Sequence, residues 1–190
     1  MIYLASRSPR RRELLALAGI AHAPIDVEID ESPLPAEDPR AYVDRLAAGK
    51  AQAGAAAVRR AGRPAGPVLG ADTTVVLEGR ILGKPADPAD AARMLAALSG
   101  RRHWVYTAVA VCHRDRLEAI RSESAVDFTT IDAAEIAAYV AGGEPMDKAG
   151  AYAIQGAAQR FVLRVEGSVS GIIGLPLVET IGLLRRFTAD

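Results

Sequence analysis

The stretch from Val68 to Leu77, VLGADTTVVL, narrows the possible folds of this chain more than any other. It reads as a buried strand with three polar residues, Asp72, Thr73 and Thr74, set inside it. Glu78-Gly79-Arg80 then turns the chain back into Ile81-Leu82, a hairpin. A second pairing follows. His103 to Val111 alternates like a strand, and Leu117 to Thr130 can return beside it after the His113-Arg114-Asp115-Arg116 turn. Helical segments alternate with these strands, and two hairpins argue against a doubly wound parallel sheet. The expected class is α/β with a mixed sheet.

The helices announce themselves by their ends. Ile2 to Ala5 forms a short apolar strand, Ser8 stands at an N-cap position, Pro9 suits the first helical turn, and Gly19 is a natural stop. Ala23 to Asp30 alternates as a half-exposed strand before the Ser32-Pro33-Leu34-Pro35 loop. Asp38-Pro39 opens a long alanine-rich helix running to about Gly62. Asp87-Pro88 starts another that stops before Gly100, and Asp132 to Glu135 has the form of a capping box for a third ending at Gly142-Gly143. Phe161 to Val165 reads as a strand, and Gly174-Leu175-Pro176 leads into a final helix with an apolar stripe.

The bulk numbers exclude several classes. The 190 residues suit one domain, and 23 basic against 23 acidic residues leave a formal net charge of zero. A general nucleic-acid binder would carry a strong basic excess. One cysteine, Cys112, forms no intrachain disulfide framework and fits a reducing compartment. No apolar run approaches the roughly 20 residues of a membrane span, and the N-terminus lacks the pattern of a signal peptide. The expectation is a soluble cytosolic protein.

Three residues in the first helical turn break an electrostatic rule. Arg10, Arg11 and Arg12 sit where partial positive charge already gathers. A bound anion, held by backbone N–H groups, the serine hydroxyls and the guanidinium forks, would resolve this, and a phosphate fits. The same arginines could instead splay into water or pair with carboxylates of this chain. Asp72 poses the complementary question, because a carboxylate inside an apolar strand is costly to desolvate unless paired. Three roles suit it: ligand to a divalent cation, general base, or acceptor of local hydrogen bonds. Glu31, at a strand end, is a second acidic candidate for a hard cation such as magnesium, or else a solvated loop acid.

Only three of the 23 basic residues are lysines, Lys50, Lys84 and Lys148, so these positions resist the arginine bias of the chain. Gly83-Lys84-Pro85 lacks the spacing of a phosphate-binding P-loop, although Lys84 can still face a phosphate. His22, His103 and His113 do not fall at metal-ligand spacing with Cys112, and Ser99-Gly100 is not a nucleophile elbow. His103 alternates with Val105 and Thr107, which favours a hydrogen-bonded structural role.

Six stretches then add up. Leu4 to Leu15 (LASRSPRRRELL), Gly70 to Val75 (GADTTV), Gly83-Lys84-Pro85, Ser99 to Thr107 (SGRRHWVYT), Asp147 to Gly156 (DKAGAYAIQG) and Gly174 to Leu177 (GLPL) together resemble the Maf family of nucleoside triphosphate pyrophosphatases along nearly the whole chain. Ala108 stands where glycine is expected and Gly171 where asparagine is common; neither is a functional position.

The resemblance implies one domain over residues 1–190, with a mixed, elongated sheet and helices forming two lobes around a cleft. It implies hydrolysis of a nucleoside triphosphate to the monophosphate and pyrophosphate, with a divalent metal cation, magnesium or manganese, as cofactor. Asp72 falls on the family's proton acceptor, and Arg10, Thr73 and Gln155 on its specificity positions. In this reading Arg10, with Ser8, Arg11 and Lys84, clamps the triphosphate, Lys50 reaches the same cleft, and Asp72 with Glu31 holds the metal. The Ile154-Gln155-Gly156 segment resembles the subgroup acting on dTTP and UTP. A carboxamide can match both the N3–H and a carbonyl of thymine or uracil. A sister subgroup acting on 7-methyl-GTP carries a glutamate-containing segment there. A regulatory nucleotide binder linked to division arrest is the alternative from another class. No nucleic-acid or membrane partner is expected, and a homodimer is left open.

Overall fold

A computed structural model describes residues 1–188. Strand β1 (Ile2–Ala5) leads into helix α1 (Pro9–Leu17), and β2 (His22–Pro24) returns parallel to β1. Helix α2 (Pro39–Arg60) opens on Asp38, whose carboxylate accepts from the N–H groups of Arg40 and Ala41, with Pro39 in the first turn. Strand β3 (Val68–Leu77) and β4 (Arg80–Leu82) form the expected hairpin. Helix α3 (Pro88–Leu98) is capped by Asp87, and a long second hairpin joins β5 (Arg102–His113) to β6 (Arg116–Phe128). Helix α4 (Ala133–Ala141) carries the capping box between Asp132 and Glu135. Three short 3-10 turns follow over Glu144–Asp147, Ala149–Ala151 and Ala157–Phe161. Strand β7 (Val162–Glu166) and helices α5 (Val169–Ile173) and α6 (Leu177–Thr188) complete the chain.

The strands make one mixed seven-stranded sheet in the order β2-β1-β3-β5-β6-β7, with β4 also on β3. β1 runs parallel to both neighbours, and the remaining pairings are antiparallel. Strand β3 is paired without a break to β5, from Val68 opposite Cys112 to Val76 opposite Trp104. Its other edge is divided. β1 pairs with Val68, Leu69 and Gly70, β4 pairs with Val75, Val76 and Leu77, and among the described residues no strand lies opposite Ala71 to Thr74 on this edge. The sheet is therefore split on one side of a long, almost wholly buried strand.

Three apolar clusters flank that split. Helix α2 lies on one face, against Ala5, Val68, Ala108 and Ala110; α1 and α6 cover the opposite face through Leu14, Leu15 and Leu183. The third cluster gathers α3, α4 and the 3-10 turns around the far end of β3, with Leu95, Phe128, Tyr139 and Phe161 at its centre. The alanine content of α2 has a physical cause. A Cβ on Gly70 would sit 2.4 Å from the Ala51 nitrogen and 2.5 Å from the Ala47 carbonyl oxygen, so helix backbone rests directly on strand backbone.

One expectation needs correction. The half-exposed strand over Ala23 to Asp30 is reduced to His22–Pro24. Its partner, β1, ends at Ala5; after the Ile25 N–H bonds the Leu4 carbonyl at 3.0 Å no further ladder is available, and the chain runs on along the cleft. Helix α5 and the 3-10 turns between 144 and 161 were not expected. Among the described residues, no helix is long and apolar enough to cross a membrane.

Candidate active site

A cleft of about 820 Å³ opens at the split in the sheet. Its walls are the loop from β1 into α1, the segment after β2, the middle of β3, the Gly83-Lys84 link after β4, and the turns around Asp147 and Gln155. Side chains alternate along β3, so Asp72 and Thr73 leave the strand on opposite faces. Each is met by a different helix.

On the α2 face, Asp72 is 7% exposed and its Oδ1 accepts from Lys50 Nζ at 2.8 Å. Lys50 itself is 8% exposed, and its ammonium also meets Glu31 Oε1 at 2.9 Å. Burial pushes the Asp72 carboxyl above its ordinary value, while the charges of Lys50 and Arg11 pull the other way. Neither buried ion stands alone, as the cost of an uncompensated buried charge demands.

On the opposite face, Arg11 is buried and its three nitrogens reach protein acceptors. Nε donates to the Gly174 carbonyl at 2.9 Å, Nη1 to Ser6 Oγ at 3.1 Å and Nη2 to Thr73 Oγ1 at 3.1 Å. Thr73 also lies 3.0 Å from Thr107 Oγ1, its cross-strand partner on β5. Arg11 thus fastens together the loop into α1, the middle of β3 and the end of α5. Burial draws its guanidinium below the ordinary value, with Asp72 opposing. The misplaced cation of the first helical turn is resolved here by oxygen acceptors of the chain.

Its neighbours behave differently. Arg10 reaches across the cleft, with Nη1 3.3 Å from Asp147 Oδ2. Arg7 pairs on the surface with Glu28 at 3.0 Å and Asp26 at 3.6 Å. Ser8 occupies the N-cap position of α1, but its side chain makes no capping bond; instead the Ser8 N–H donates to Ser6 Oγ at 3.2 Å. Lys84 and Gln155 are exposed where they line the opening.

All the residues singled out from the sequence, Ser8, Arg10, Arg11, Glu31, Lys50, Asp72, Thr73, Lys84 and Gln155, line this cleft. Lys148 and Asp147 line it too and were missed as site residues. Lys148 donates to the Glu144 carbonyl at 2.6 Å and pairs with Asp147. The signal for it was present, since all three lysines of the chain face this one opening. His103 is structural as expected: fully buried, with Nε2 2.9 Å from the Tyr152 hydroxyl and its ring edge-on to Phe128. Burial brings its pKa down to about 4.

The donor set suits a hard divalent cation. Asp72 Oδ1 and Glu31 Oε1 converge on a single point, the Lys50 ammonium, at 2.8 and 2.9 Å. Among the described residues no group of three or more His, Cys, Asp or Glu is placed to hold a metal. Magnesium characteristically takes one or two carboxylates and fills its shell with phosphate oxygens and water.

A mixed sheet split around a buried carboxylate, with cations along the rim, defines an α/β protein built to seat a small polyanion. Residues 1–187 match the family model described as Maf-like protein, and the chain belongs to the Maf family. A protein named dTTP/UTP pyrophosphatase from Nitrosomonas europaea is 51% identical over 97% of this chain and 93% of the relative. One of the same name from Shewanella denitrificans is 54% identical over 95% and 93%. Among solved structures, a nucleoside-triphosphatase, or dITP/XTP pyrophosphatase, from Mycobacterium abscessus aligns with a TM-score of 0.41 at 18% identity, covering 67% of this chain and 72% of that one.

Proposed function

We propose that this protein hydrolyses nucleoside triphosphates between the α and β phosphates, with dTTP and UTP as its substrates, giving the monophosphate and pyrophosphate. The observation that carries this reading is Asp72, a carboxylate 7% exposed on the floor of a cation-rimmed cleft. A site that merely binds polyphosphate is weakened by a carboxylate in its floor, whereas one that must take a proton from water needs it. The names borne by relatives more than 50% identical support the same substrates.

Each side chain then has a task. Arg10, Lys84 and Ser8 hold the phosphate chain, with Arg10 exchanging Asp147 for a phosphate oxygen. Arg11 keeps Ser6 and Thr73 in place beneath it. Asp72 orients the attacking water and accepts its proton, and burial strengthens the carboxylate as a base. Lys50 matches the buried charge of Asp72 and ties it to the exposed Glu31. A magnesium or manganese ion would be held by Asp72 and Glu31, and when bound it supplies neutralising charge for the departing pyrophosphate. Gln155 presents its carboxamide to the base.

Pyrophosphate release from the common triphosphates and from 7-methyl-GTP, measured with and without magnesium or manganese, tests the proposal. Metal-dependent release from dTTP and UTP above the others is the expected result. Binding of these nucleotides without any release would overturn it in favour of a regulatory binder, and a preference for 7-methyl-GTP would overturn the substrate assignment.

A further inference from the structure

The segment that carries Gln155 belongs to no helix or strand. It is a tight turn from Ala153 to Gly156, closed by a Gly156 N–H to Ala153 carbonyl bond of 3.0 Å, with Ile154 and Gln155 at its tip. Ile154 is buried in the apolar cluster while Gln155 is exposed, and two side chains outside the turn grip both of its ends. The Tyr139 hydroxyl, from α4, accepts from the Ala153 N–H at 3.3 Å and donates to Glu144 Oε1 at 2.7 Å. The other carboxylate oxygen of Glu144 accepts from the Ala157 N–H at 3.0 Å. Entry and exit of the turn are thus anchored by one hydrogen-bonded pair.

That pair is itself well fixed. Tyr139 is 3% exposed, with its ring edge-on to Phe161 at 5.5 Å. Burial works to raise the Glu144 carboxyl, but the Tyr139 hydroxyl and the neighbouring backbone N–H groups outweigh it and hold the group below its ordinary value, ionised and accepting. A Cβ on Gly156 would fall 2.4 to 2.6 Å from the atoms of the Glu144 carboxylate, so the turn presses directly against its anchor. The Tyr139 hydroxyl and the Glu144 carboxylate meet the turn itself, while the Glu144 carbonyl separately accepts from Lys148 at 2.6 Å.

We infer that Tyr139 and Glu144 are positioning residues for base recognition: by gripping both ends of the Ala153–Gly156 turn they fix the pose of Gln155, and so set the preference for thymine and uracil over cytosine. The inference rests on the proposed base-reading role of Gln155. Cytosine presents the opposite pattern, an acceptor at N3 beside an amino donor, so it needs the carboxamide turned over. A carboxamide on a loose turn can adopt either pose. One carried on an anchored backbone has fewer poses to choose from, and preorganisation of this kind raises affinity for one partner at the expense of the other.

The test compares kcat/KM for dTTP and dCTP in the parent protein and in Tyr139→Phe, Glu144→Gln, Gln155→Ala and the Tyr139→Phe/Gln155→Ala double variant, with thermal unfolding alongside. Gln155→Ala should lower the dTTP-to-dCTP ratio about tenfold, the scale of one well-placed hydrogen bond. Tyr139→Phe should lower it by several-fold to about tenfold, through a higher KM for dTTP with kcat for dCTP retained. The double variant should lose no more discrimination than Gln155→Ala alone, the signature of two residues acting through one contact. Glu144→Gln keeps the volume and carries the same expectation should Tyr139→Phe fold poorly. A ratio unchanged in both Tyr139→Phe and Glu144→Gln but collapsed in Gln155→Ala overturns the positioning role alone. Equal losses on both nucleotides, or additive losses in the double variant, overturn it as well. A Gln155→Ala ratio equal to that of the parent protein overturns the base-reading role and this inference with it.

Discussion

Asp72 and Arg10 face the same cleft and should fail in different ways. Asp72→Asn keeps the shape of the side chain and, on the proposed mechanism, removes the proton acceptor, so kcat should fall by about 100-fold or more with KM little changed. Arg10→Ala removes the clamp proposed to act in both ground and transition states, so KM should rise and kcat fall together. Steady-state kinetics on dTTP separates the two, and an Asp72→Asn protein with full kcat would remove Asp72 from the mechanism. His103 makes a prediction about stability. Its pKa is lowered by burial to about 4 from the ordinary 6.5, so between those values the unfolded chain binds a proton that the folded one refuses. Its neutral form is accommodated fully above pH 6.5, and stability drains away as pH falls from there toward 4. The loss attributable to this one ring is on the order of 3 kcal/mol at the acid end. His103→Gln should flatten that part of a denaturation-midpoint profile against pH, although it will lower stability at neutral pH through lost packing.

At the scale of elements, contact between α2 and β3 is the least forgiving. At Gly70 the neighbours are the backbone of Ala47 and Ala51, which cannot swing aside as a side chain can. Gly70→Ala should therefore cost about 3 kcal/mol, the upper end of overpacking, and lower the melting temperature by roughly 6–12 °C for a chain of this size. Calorimetry on the variant checks it; an unchanged midpoint would mean that helix and strand can part cheaply. Most elements were legible in the sequence because their ends carry chemistry. Asp38-Pro39, Asp87-Pro88 and the Asp132–Glu135 box each satisfy the orphan donors of a first turn. Residues 144 to 161 were not legible: they are rich in alanine and glycine, show no periodicity, and owe their path to anchors such as the Gly150 N–H on the Gly83 carbonyl at 3.0 Å. The cleft residues stood out as charges in unfavourable places. What Arg11 does with its charge was hidden, because its acceptors Gly174 and Thr73 lie 163 and 62 residues away in the chain.

The whole molecule carries a formal net charge of zero, yet its cleft is lined by six cations, Arg7, Arg10, Arg11, Lys50, Lys84 and Lys148, against the four carboxylates Glu28, Glu31, Asp72 and Asp147. A local surplus on a neutral body attracts a polyanion over short range, and salt screens it within a Debye length of about 8 Å at physiological ionic strength. KM for the triphosphate should therefore climb steadily as potassium chloride is added, with kcat far less affected. A KM indifferent to salt would place the affinity in the base instead.

The interrupted pairing along β3 has a further consequence. Edges normally lie at the margin of a sheet, where they invite a strand from another molecule and must be blunted against aggregation. Here an edge has been opened at the centre, between β1 and β4. Four residues, spanning about 13 Å at the usual rise per residue, are too short to recruit a foreign strand. They are long enough to run beside a chain of phosphates. What is elsewhere a hazard to be covered is in this protein enclosed and shortened, and on the proposed function it is left free for the ligand.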